Sequence, residues 1–195
     1  MANTYLQRTP STNGSSVTNT WSFWVKRTAL NYDYRRLWSS YVTATNNFMI
    51  AFTPTDELEF SYFAGVYDFQ VKTNRKFRDT SAWYNIVIAQ DASASTSTDR
   101  VKIYVNGVRE TSFAITNFPD LNEGSNTINA TNSTTILGQK GNGSEWFDGL
   151  MSHVHMIDGT AYDASAFGST DSTTGEWQIN TSPSVTYGTN GFFIL

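Results

Sequence analysis

The fold is decided by residues 83–107, which read WYNIVIAQ, DASASTSTD and RVKIYVNG in succession. The first of these three segments is almost continuously apolar, as is typical of a strand that is buried on both faces. The last alternates apolar with polar side chains and ends at Asn106-Gly107, a pair that favours a two-residue hairpin turn. The stretch therefore predicts two strands joined by a polar loop, with a return strand after the turn.

Shorter segments with similar alternation lie on both sides of this stretch. They occupy residues 20–26 (TWSFWVK), 47–53 (NFMIAFT), 58–63 (LEFSYF), 66–72 (VYDFQVK), 134–138 (TTILG) and 146–157. In the last and longest segment, Leu150, Val154 and Met156 are predicted to point into the core. Loops rich in Ser, Thr, Asn and Gly separate the segments, and only residues 163–168 (DASAFG) indicate a turn of helix.

This pattern predicts an all-β fold, an antiparallel two-sheet jelly-roll sandwich, formed by residues 1–195 as a single domain. The composition agrees with it, because charged residues make up 15% of the chain and aromatic residues another 15%. A helical bundle or a disordered chain would carry more charge and fewer aromatic residues.

The composition also argues against several classes of function. The formal net charge is −4, so the chain lacks the basic surface of a nucleic-acid-binding protein. Cysteine is absent, which excludes disulfides, thiolate nucleophiles and Cys-ligated zinc. No apolar run approaches the ~20 residues of a membrane-spanning helix, and the first residues do not resemble a secretory signal. We therefore expect synthesis in a cytoplasm and neither a nucleic-acid nor a membrane partner.

Two local motifs resemble a known family. One is residues 83–87 (WYNIV), followed after a loop by residues 102–107 (KIYVNG). The other is residues 147–151 (FDGLM), which run on to residues 157–159 (IDG). Together they are similar to the buried tryptophan strand and the closing strand of the laminin-G/pentraxin branch of the concanavalin A-like lectin/glucanase superfamily. The fold that this resemblance implies is again a two-sheet jelly roll.

A further resemblance covers almost the whole chain. It rests on residues 5–10 (YLQRTP), 21–27 (WSFWVKR), 162–168 (YDASAFG), 174–177 (TGEW) and 187–193 (YGTNGFF). These motifs look like those of lectin-like domains that are common in proteins of marine and freshwater bacteriophages. Such domains usually carry a few residues beyond the last aromatic strand, whereas this chain stops at Leu195.

The resemblance implies a non-enzymatic virion structural protein, located on the virion surface. Because the jelly roll is predicted to begin by Tyr5 and to leave no segment for an anchor or a shaft, we expect the domain itself to bind the particle. That favours a capsid decoration (cement) protein, with the phage major capsid protein or another virion protein as its partner, a trimer as its oligomer and weak affinity for host surface glycans. The alternatives are a tail-associated receptor-binding module, a free carbohydrate-binding lectin and a degenerate glycoside hydrolase.

Glucanases of this superfamily carry carboxylates at alternate positions of one strand, where they act as nucleophile and general acid. In this chain the nearest equivalents are Glu57 and Glu59, which would share a strand face, but Ser61 stands where a third acid would follow. We therefore expect Glu57 and Glu59 to lie on a solvated strand face, and we predict no catalytic residue.

A sugar site needs an exposed aromatic platform beside Asn or Asp side chains. Five residues fit this description: Trp146 and Asn142 in one loop-rich segment, and Tyr32, Tyr34 and Trp38 in another part of the chain.

Many laminin-G and pentraxin domains bind calcium through loop oxygens at one edge of the sandwich, so the resemblance raises calcium as a cofactor. Asp91, at the end of a predicted strand, and Asp148 are the candidate ligands. The acidic residues form no dense calcium-binding loop, and we expect no obligatory cofactor.

Two further patterns have ordinary structural interpretations. His153 and His155 would share one strand face, a spacing that metal sites use, but the sequence names no third ligand. We expect them to be structural or solvent-facing, on an outer sheet face, under a loop or at a subunit contact. The glycines Gly138, Gly141 and Gly143 lack the context of a dinucleotide-binding loop and indicate a flexible turn.

Overall fold

The computed structural model describes residues 4–30 and 33–195, which form antiparallel strands and two short 3₁₀ helices. The strands are β1 (Leu6–Arg8), β2 (Thr18–Arg27), β3 (Arg35–Thr43), β4 (Asn46–Phe52), β5 (Glu57–Ala64), β6 (Tyr67–Lys76), β7 (Tyr84–Asp91), β8 (Val101–Val105), β9 (Val108–Arg109), β10 (Phe113–Asn117), β11 (Thr134–Leu137), β12 (Gly149–Asp158), β13 (Gly168–Thr170), β14 (Trp177–Ile179) and β15 (Phe192–Ile194). The 3₁₀ helices are Ser97–Asp99 and Ala164–Ala166. Within the described part of the chain, no helix has the length and apolar character needed to cross a membrane.

Two large sheets pack face to face. The seven-stranded sheet has the order β1-β11-β3-β4-β5-β6-β10, and the six-stranded sheet has the order β15-β12-β2-β7-β8-β9. Hairpins join β3 through β6 in succession, whereas β2 pairs with the distant strands β7 and β12. The predicted all-β, antiparallel two-sheet sandwich is therefore confirmed.

The core lies between the two sheets and is built around Trp21. The Trp21 ring stacks on Phe48 with centroids 5.3 Å apart and meets Trp38 and Phe60 in edge-on contacts. All four side chains are at most 1% exposed. Because each aromatic side chain buries roughly 150–250 Å² of surface, this cluster supplies much of the hydrophobic stabilisation of the fold.

The C-terminal segment covers the outer face of the six-stranded sheet. Val87 and Ile157 project outward from β7 and β12 and are buried against Ala164 and Phe167. Trp177 also packs on this face and donates a hydrogen bond from Nε1 to a side-chain oxygen of β7 at 3.0 Å. Because the C-terminal segment buries the outer face of β7, this strand is apolar on both faces, as predicted.

A β-bulge in β12 corrects one prediction about the core. The register with β2 shifts after Ser152, and His153 adopts a φ of 46°, in the left-handed region. The bulge changes which residues face inward, so that Val154 and Met156 are buried while Leu150 is 54% exposed. The prediction that Leu150 points into the core is therefore wrong.

Candidate functional site

The outer face of the seven-stranded sheet is polar and largely buried. Glu59 on β5 is 1% exposed, and its carboxylate accepts hydrogen bonds from Ser61 Oγ and Gln70 Nε2, both at 2.9 Å. Tyr34 Oη lies 3.4 Å from the other carboxylate oxygen. Burial, together with the negative charge of Glu59, raises the pKa of Tyr34 above its ordinary value. Tyr34 therefore remains a protonated donor, and three donors surround the Glu59 carboxylate.

Glu57 lies on the same face of β5 and is bound by different partners. Its carboxylate accepts hydrogen bonds from Lys76 Nζ at 2.8 Å, from Thr55 Oγ1 at 2.6 Å and from Thr53 Oγ1. Burial by itself would raise the pKa of Glu57, but these hydrogen bonds outweigh burial and lower the pKa to about 2. A general acid must hold a proton at the working pH, so Glu57 does not suit that role near neutrality.

The expectation that this face of β5 is solvated is wrong. Glu57 is 8% exposed and Glu59 1%, because side chains of neighbouring strands and loops surround both carboxylates. In the loop between β11 and β12, Glu145 forms ion pairs with Arg36 of β3 at 2.5 Å and with Lys140 at 2.8 Å. The pairs lower the pKa of Glu145 although burial acts to raise it. Alternation in the sequence indicates the face on which a residue lies but not what covers that face.

The same loop contains two of the predicted sugar-binding residues. Lys140 and Ser144 form an isolated β-bridge, and a Cβ at Gly141 would clash with the Tyr41 ring, so the loop is a short hairpin packed on the sheet. Asn142 is exposed at its turn, and Trp146 is half-buried where the hairpin returns. The Trp146 Nε1 donates to the carbonyl of residue 143 at 3.0 Å.

The other predicted sugar-binding residues lie in different environments. Trp38 is 1% exposed and stacks on Phe192 within the core, with ring centroids 5.7 Å apart. The prediction that Trp38 offers an exposed platform is therefore wrong, because its position on β3 faces the opposite sheet. Tyr34 is half-buried beside Glu59. Tyr32 lies outside the described residues.

Asp91 and Asp148, the predicted calcium ligands, lie at opposite ends of β2. Asp91 pairs with Thr18 where that strand begins, and the Asp148 carbonyl accepts a hydrogen bond from the Thr28 N–H just after it ends. A strand of 10 residues is roughly 30 Å long, so the two carboxylates cannot bind one ion. Asp148 lies 3.3 Å from Arg35 Nε. Among residues 4–30 and 33–195, no group of three or more His, Cys, Asp or Glu side chains could hold a metal ion.

The two histidines serve different local structures. His155 is 2% exposed, stacks on Phe193 with centroids 4.5 Å apart and shares a 2.9 Å hydrogen bond between Nδ1 and Tyr187 Oη. Burial, with a smaller contribution from His153, lowers the pKa of His155 to about 4. His155 therefore stays neutral near pH 7 and is a structural residue, as expected. His153 is half-buried at the bulge, and its Nδ1 lies 2.7 Å from Ser152 Oγ.

An apolar groove lies at the open side of the sandwich, where the edge of one sheet faces the edge of the other. Its volume is about 560 Å³. We call it the open-side groove and define it by residues from both ends of the chain and from β12: Tyr5, Leu6, Leu150, Met151, Ile194 and Leu195.

Large apolar side chains are exposed around the open-side groove. The exposed fractions are 41% for Tyr5, 53% for Leu6, 54% for Leu150 and 80% for Leu195. The two strands beside the groove, β1 and β15, are each the last strand of their sheet, so one edge of each has no partner strand within the described residues. Exposed apolar surface next to unpaired strand edges is typical of a site that binds another polypeptide.

Sequence reasoning missed the open-side groove. The groove depends on β1 and β15, which come from opposite ends of the chain. The side chain of Arg8 links these two strands. The Arg8 guanidinium donates to the Asn190 carbonyl and lies 5.2 Å from the centre of the Phe192 ring. The available signal was the apolar character of both ends, at Tyr5-Leu6 and Ile194-Leu195.

Known structures share the fold at low sequence identity. Domain 4 of AbnA, a GH43 extracellular arabinanase from Geobacillus stearothermophilus, in complex with arabinotriose, matches 76% of this chain with a TM-score of 0.53 and 23% identity. This chain covers 64% of the length of that domain. The heptameric SAP-like pentraxin from Limulus polyphemus matches 81% of this chain and is covered over 70% of its own length, with a TM-score of 0.50 and 15% identity.

The sequence itself matches one family. No match was found among curated proteins. Residues 2–166 match the Laminin_G_3 family, described as belonging to the concanavalin A-like lectin/glucanases superfamily, and this span is most of the chain. The protein is therefore a member of the concanavalin A-like lectin/glucanase superfamily.

Proposed function

We propose that this protein is a non-enzymatic structural component of a bacteriophage particle, a capsid decoration (cement) protein on the virion surface. The observation that supports this role is the open-side groove, around which Tyr5, Leu6, Leu150 and Leu195 are exposed. Contiguous apolar surface of this kind marks an interaction site rather than ordinary protein surface. The bacteriophage setting comes from the resemblance of the motifs at both ends of the chain.

The occupant that we propose for the groove is an extended, apolar segment of the phage major capsid protein. The free edges of β1 and β15 carry backbone N–H and C=O groups that such a segment can pair with. Alternate side chains of the added strand would then enter the groove, as in other complexes formed by strand addition. Three copies bound as a trimer at a threefold position would bridge neighbouring capsid subunits. The trimer would then raise the free energy needed to separate those subunits.

The contacts of the carboxylates favour a non-enzymatic role. A retaining glycosidase needs a nucleophile and a general acid about 5–5.5 Å apart and open to substrate. Glu57 has a pKa of about 2 and is bound by Lys76, and Glu59 is buried among Ser61, Gln70 and Tyr34. Neither side chain is available to act as an acid on a polysaccharide.

Rebinding to particles tests the proposed role. Particles of the encoding phage are stripped of this protein and then incubated with the purified chain. We expect the wild type to rebind and to raise the temperature at which the capsid opens. Leu150→Glu should abolish both effects, because it places a charge in the apolar lining of the groove.

A variant at the other end of the sheets provides the control. Val66 is 68% exposed in the turn between β5 and β6, so Val66→Glu should rebind like the wild type. A capsid melting temperature that does not change on rebinding would overturn the cement role. Equal rebinding by Leu150→Glu would overturn the assignment of the groove.

A second candidate function is glycan binding, either by a particle-bound protein or by a free or tail-associated lectin module. It is favoured by exposed aromatic side chains such as Trp83, which is 39% exposed. The matched domain of the arabinanase, which has this fold, holds a short oligosaccharide. Even millimolar affinity would suffice on a particle that displays many copies. An array of glycans probed with a multimer of the chain tests this role, and an array without hits would count against it.

A further inference from the structure

We infer that a small cleft on the outer face of the six-stranded sheet binds a single N-acetylated hexose, such as a terminal N-acetylglucosamine residue. The cleft has a volume of about 300 Å³ and is lined by Trp24, Trp83, Ser152, His153 and Ile179. This volume is at the lower end of the range for small-molecule sites, roughly 300–1,000 Å³. The inference rests on the glycan-binding role proposed above and gives that role a location next to the open-side groove, with Ser152 lining both.

The cleft combines elements that are distant in sequence. Trp24 of β2 and Ser152 of β12 are register partners on the sheet and form its floor. Trp83 stands just before β7 and is 39% exposed, and Ile179 comes from the end of β14 in the C-terminal cover. Two indole rings and an aliphatic side chain therefore surround one small space, and solvent reaches it.

The bulge in β12 brings the polar group to the cleft. His153 has a φ of 46°, in the left-handed region that only a few per cent of residues other than glycine adopt. Bulges are frequent beside functional sites because they redirect one side chain without breaking the sheet, and local strain concentrates at such sites. The Nδ1 of His153 is engaged by Ser152 Oγ at 2.7 Å, and this contact fixes the ring. No hydrogen bond to Nε2 occurs among the described residues, so this nitrogen is available to a ligand.

The distribution of polar and apolar groups indicates the class of ligand. An indole ring binds the C–H face of a pyranose, and a single polar group then fixes its orientation. Apolar carbon from Trp24, Trp83 and Ile179 dominates the lining, and Ser152 and His153 supply the polar groups. A hydroxyl group at position 2 of the hexose would be desolvated against this lining without a partner. An acetamido group instead offers a methyl for the indoles and an amide that can bond to His153.

Tryptophan fluorescence of the full chain tests the inference, with N-acetylglucosamine as the probe and glucose for comparison. We expect a saturable change in emission with N-acetylglucosamine at millimolar concentrations, and at least about a tenfold weaker response to glucose. Trp83→Ala should weaken binding about tenfold or more, since it removes an exposed stacking ring. His153→Ala should have a similar effect, and Val66→Ala, which changes an exposed side chain outside the cleft, should leave affinity unchanged.

Isothermal titration of the same variants measures sugar affinity without using fluorescence. It therefore separates a loss of binding from a change in emission that is due only to the removed tryptophan. The absence of saturable binding to N-acetylglucosamine, or equal affinity in Trp83→Ala, would overturn the inference. Equal affinity for glucose would overturn the assignment of the acetamido group. Trp83→Ala should still bind particles, and Leu6→Glu, on a groove strand that does not line the cleft, should still bind the sugar, so failure of this site and failure of the groove are distinguishable.

Discussion

At the scale of single residues, burial decides the role of a side chain more than its chemical type does. Trp38 and Trp146 are both tryptophans that the sequence marks as sugar-binding candidates, yet Trp38 lies in the core and Trp146 on a surface loop. His155 and His153 differ in the same way across one bulge. The sequence pattern alone does not separate the members of either pair, because their burial depends on segments that pack over them from elsewhere in the chain.

His155 makes the stability of the protein depend on pH. Its pKa is 6.5 in an unperturbed state and about 4 when buried in the fold. As pH falls through 6.5, His155 becomes protonated in the unfolded chain but stays neutral in the folded protein. The stability contributed by neutral His155 is therefore fully present above pH 6.5 and declines toward pH 4. At about 1.4 kcal/mol per pKa unit, the shift corresponds to a loss of roughly 3 kcal/mol.

Urea unfolding of His155→Phe across this pH range measures the effect. The variant keeps an aromatic ring against Phe193 but cannot take up a proton, so its stability should fall less than that of the wild type. Tyr187→Phe removes the hydrogen bond and leaves the imidazole, and it should retain the wild-type pH dependence. If His155→Phe and the wild type lose the same stability on acidification, His155 is not the group responsible.

At the scale of elements, the hairpin between β11 and β12 packs on the outer face of the seven-stranded sheet at β3. Gly141 lies against the Tyr41 ring, and a Cβ there would clash with the Tyr41 Cβ and Cγ, which cannot swing away like the end of a flexible side chain. Gly141→Ala should therefore destabilise the protein by about 1–3 kcal/mol through crowding.

A second glycine in the same hairpin supplies the comparison. Gly143 has a φ of 78° and no atom near a Cβ, so Gly143→Ala should cost about 1–2 kcal/mol from backbone strain alone. Tyr41→Ala removes the ring but keeps the Cβ, so it should relieve part of the cost of Gly141→Ala and leave the cost of Gly143→Ala unchanged. Thermal unfolding of the single and double variants gives both coupling energies, and zero coupling between positions 141 and 41 would contradict the packing.

Strands with a strong apolar periodicity could be predicted from the sequence. Which residues pack over the outer faces of those strands could not. The apolar run of β7 and the Asn106-Gly107 turn were correctly predicted because local alternation and turn chemistry determine them. Leu150 was misassigned because a bulge shifts the inward phase of β12 without a sequence signal. Glu57 and Glu59 were misassigned because strand alternation does not show which side chains of neighbouring strands and loops surround them.

At the scale of the whole molecule, the two ends of the chain meet beside each other. This brings together β1, β15 and the exposed apolar side chains of the open-side groove. No local sequence pattern predicts such an arrangement. The groove is on the open side of the sandwich, whereas the cleft at Trp83 is on an outer face. The two surfaces meet at Ser152, which lines both, so a docked capsid segment would lie next to the cleft.

Site-specific cross-linking to the particle most directly tests whether the open-side groove docks on a capsid subunit. The chain has no cysteine, so Leu150→Cys and Val66→Cys each create a single attachment point for a photo-reactive group. After rebinding to stripped particles and illumination, position 150 should give an adduct with the major capsid protein, and position 66 should give none. Adducts from position 66 alone, or no adduct from position 150 when the chain sediments with the particles, would contradict docking through this groove.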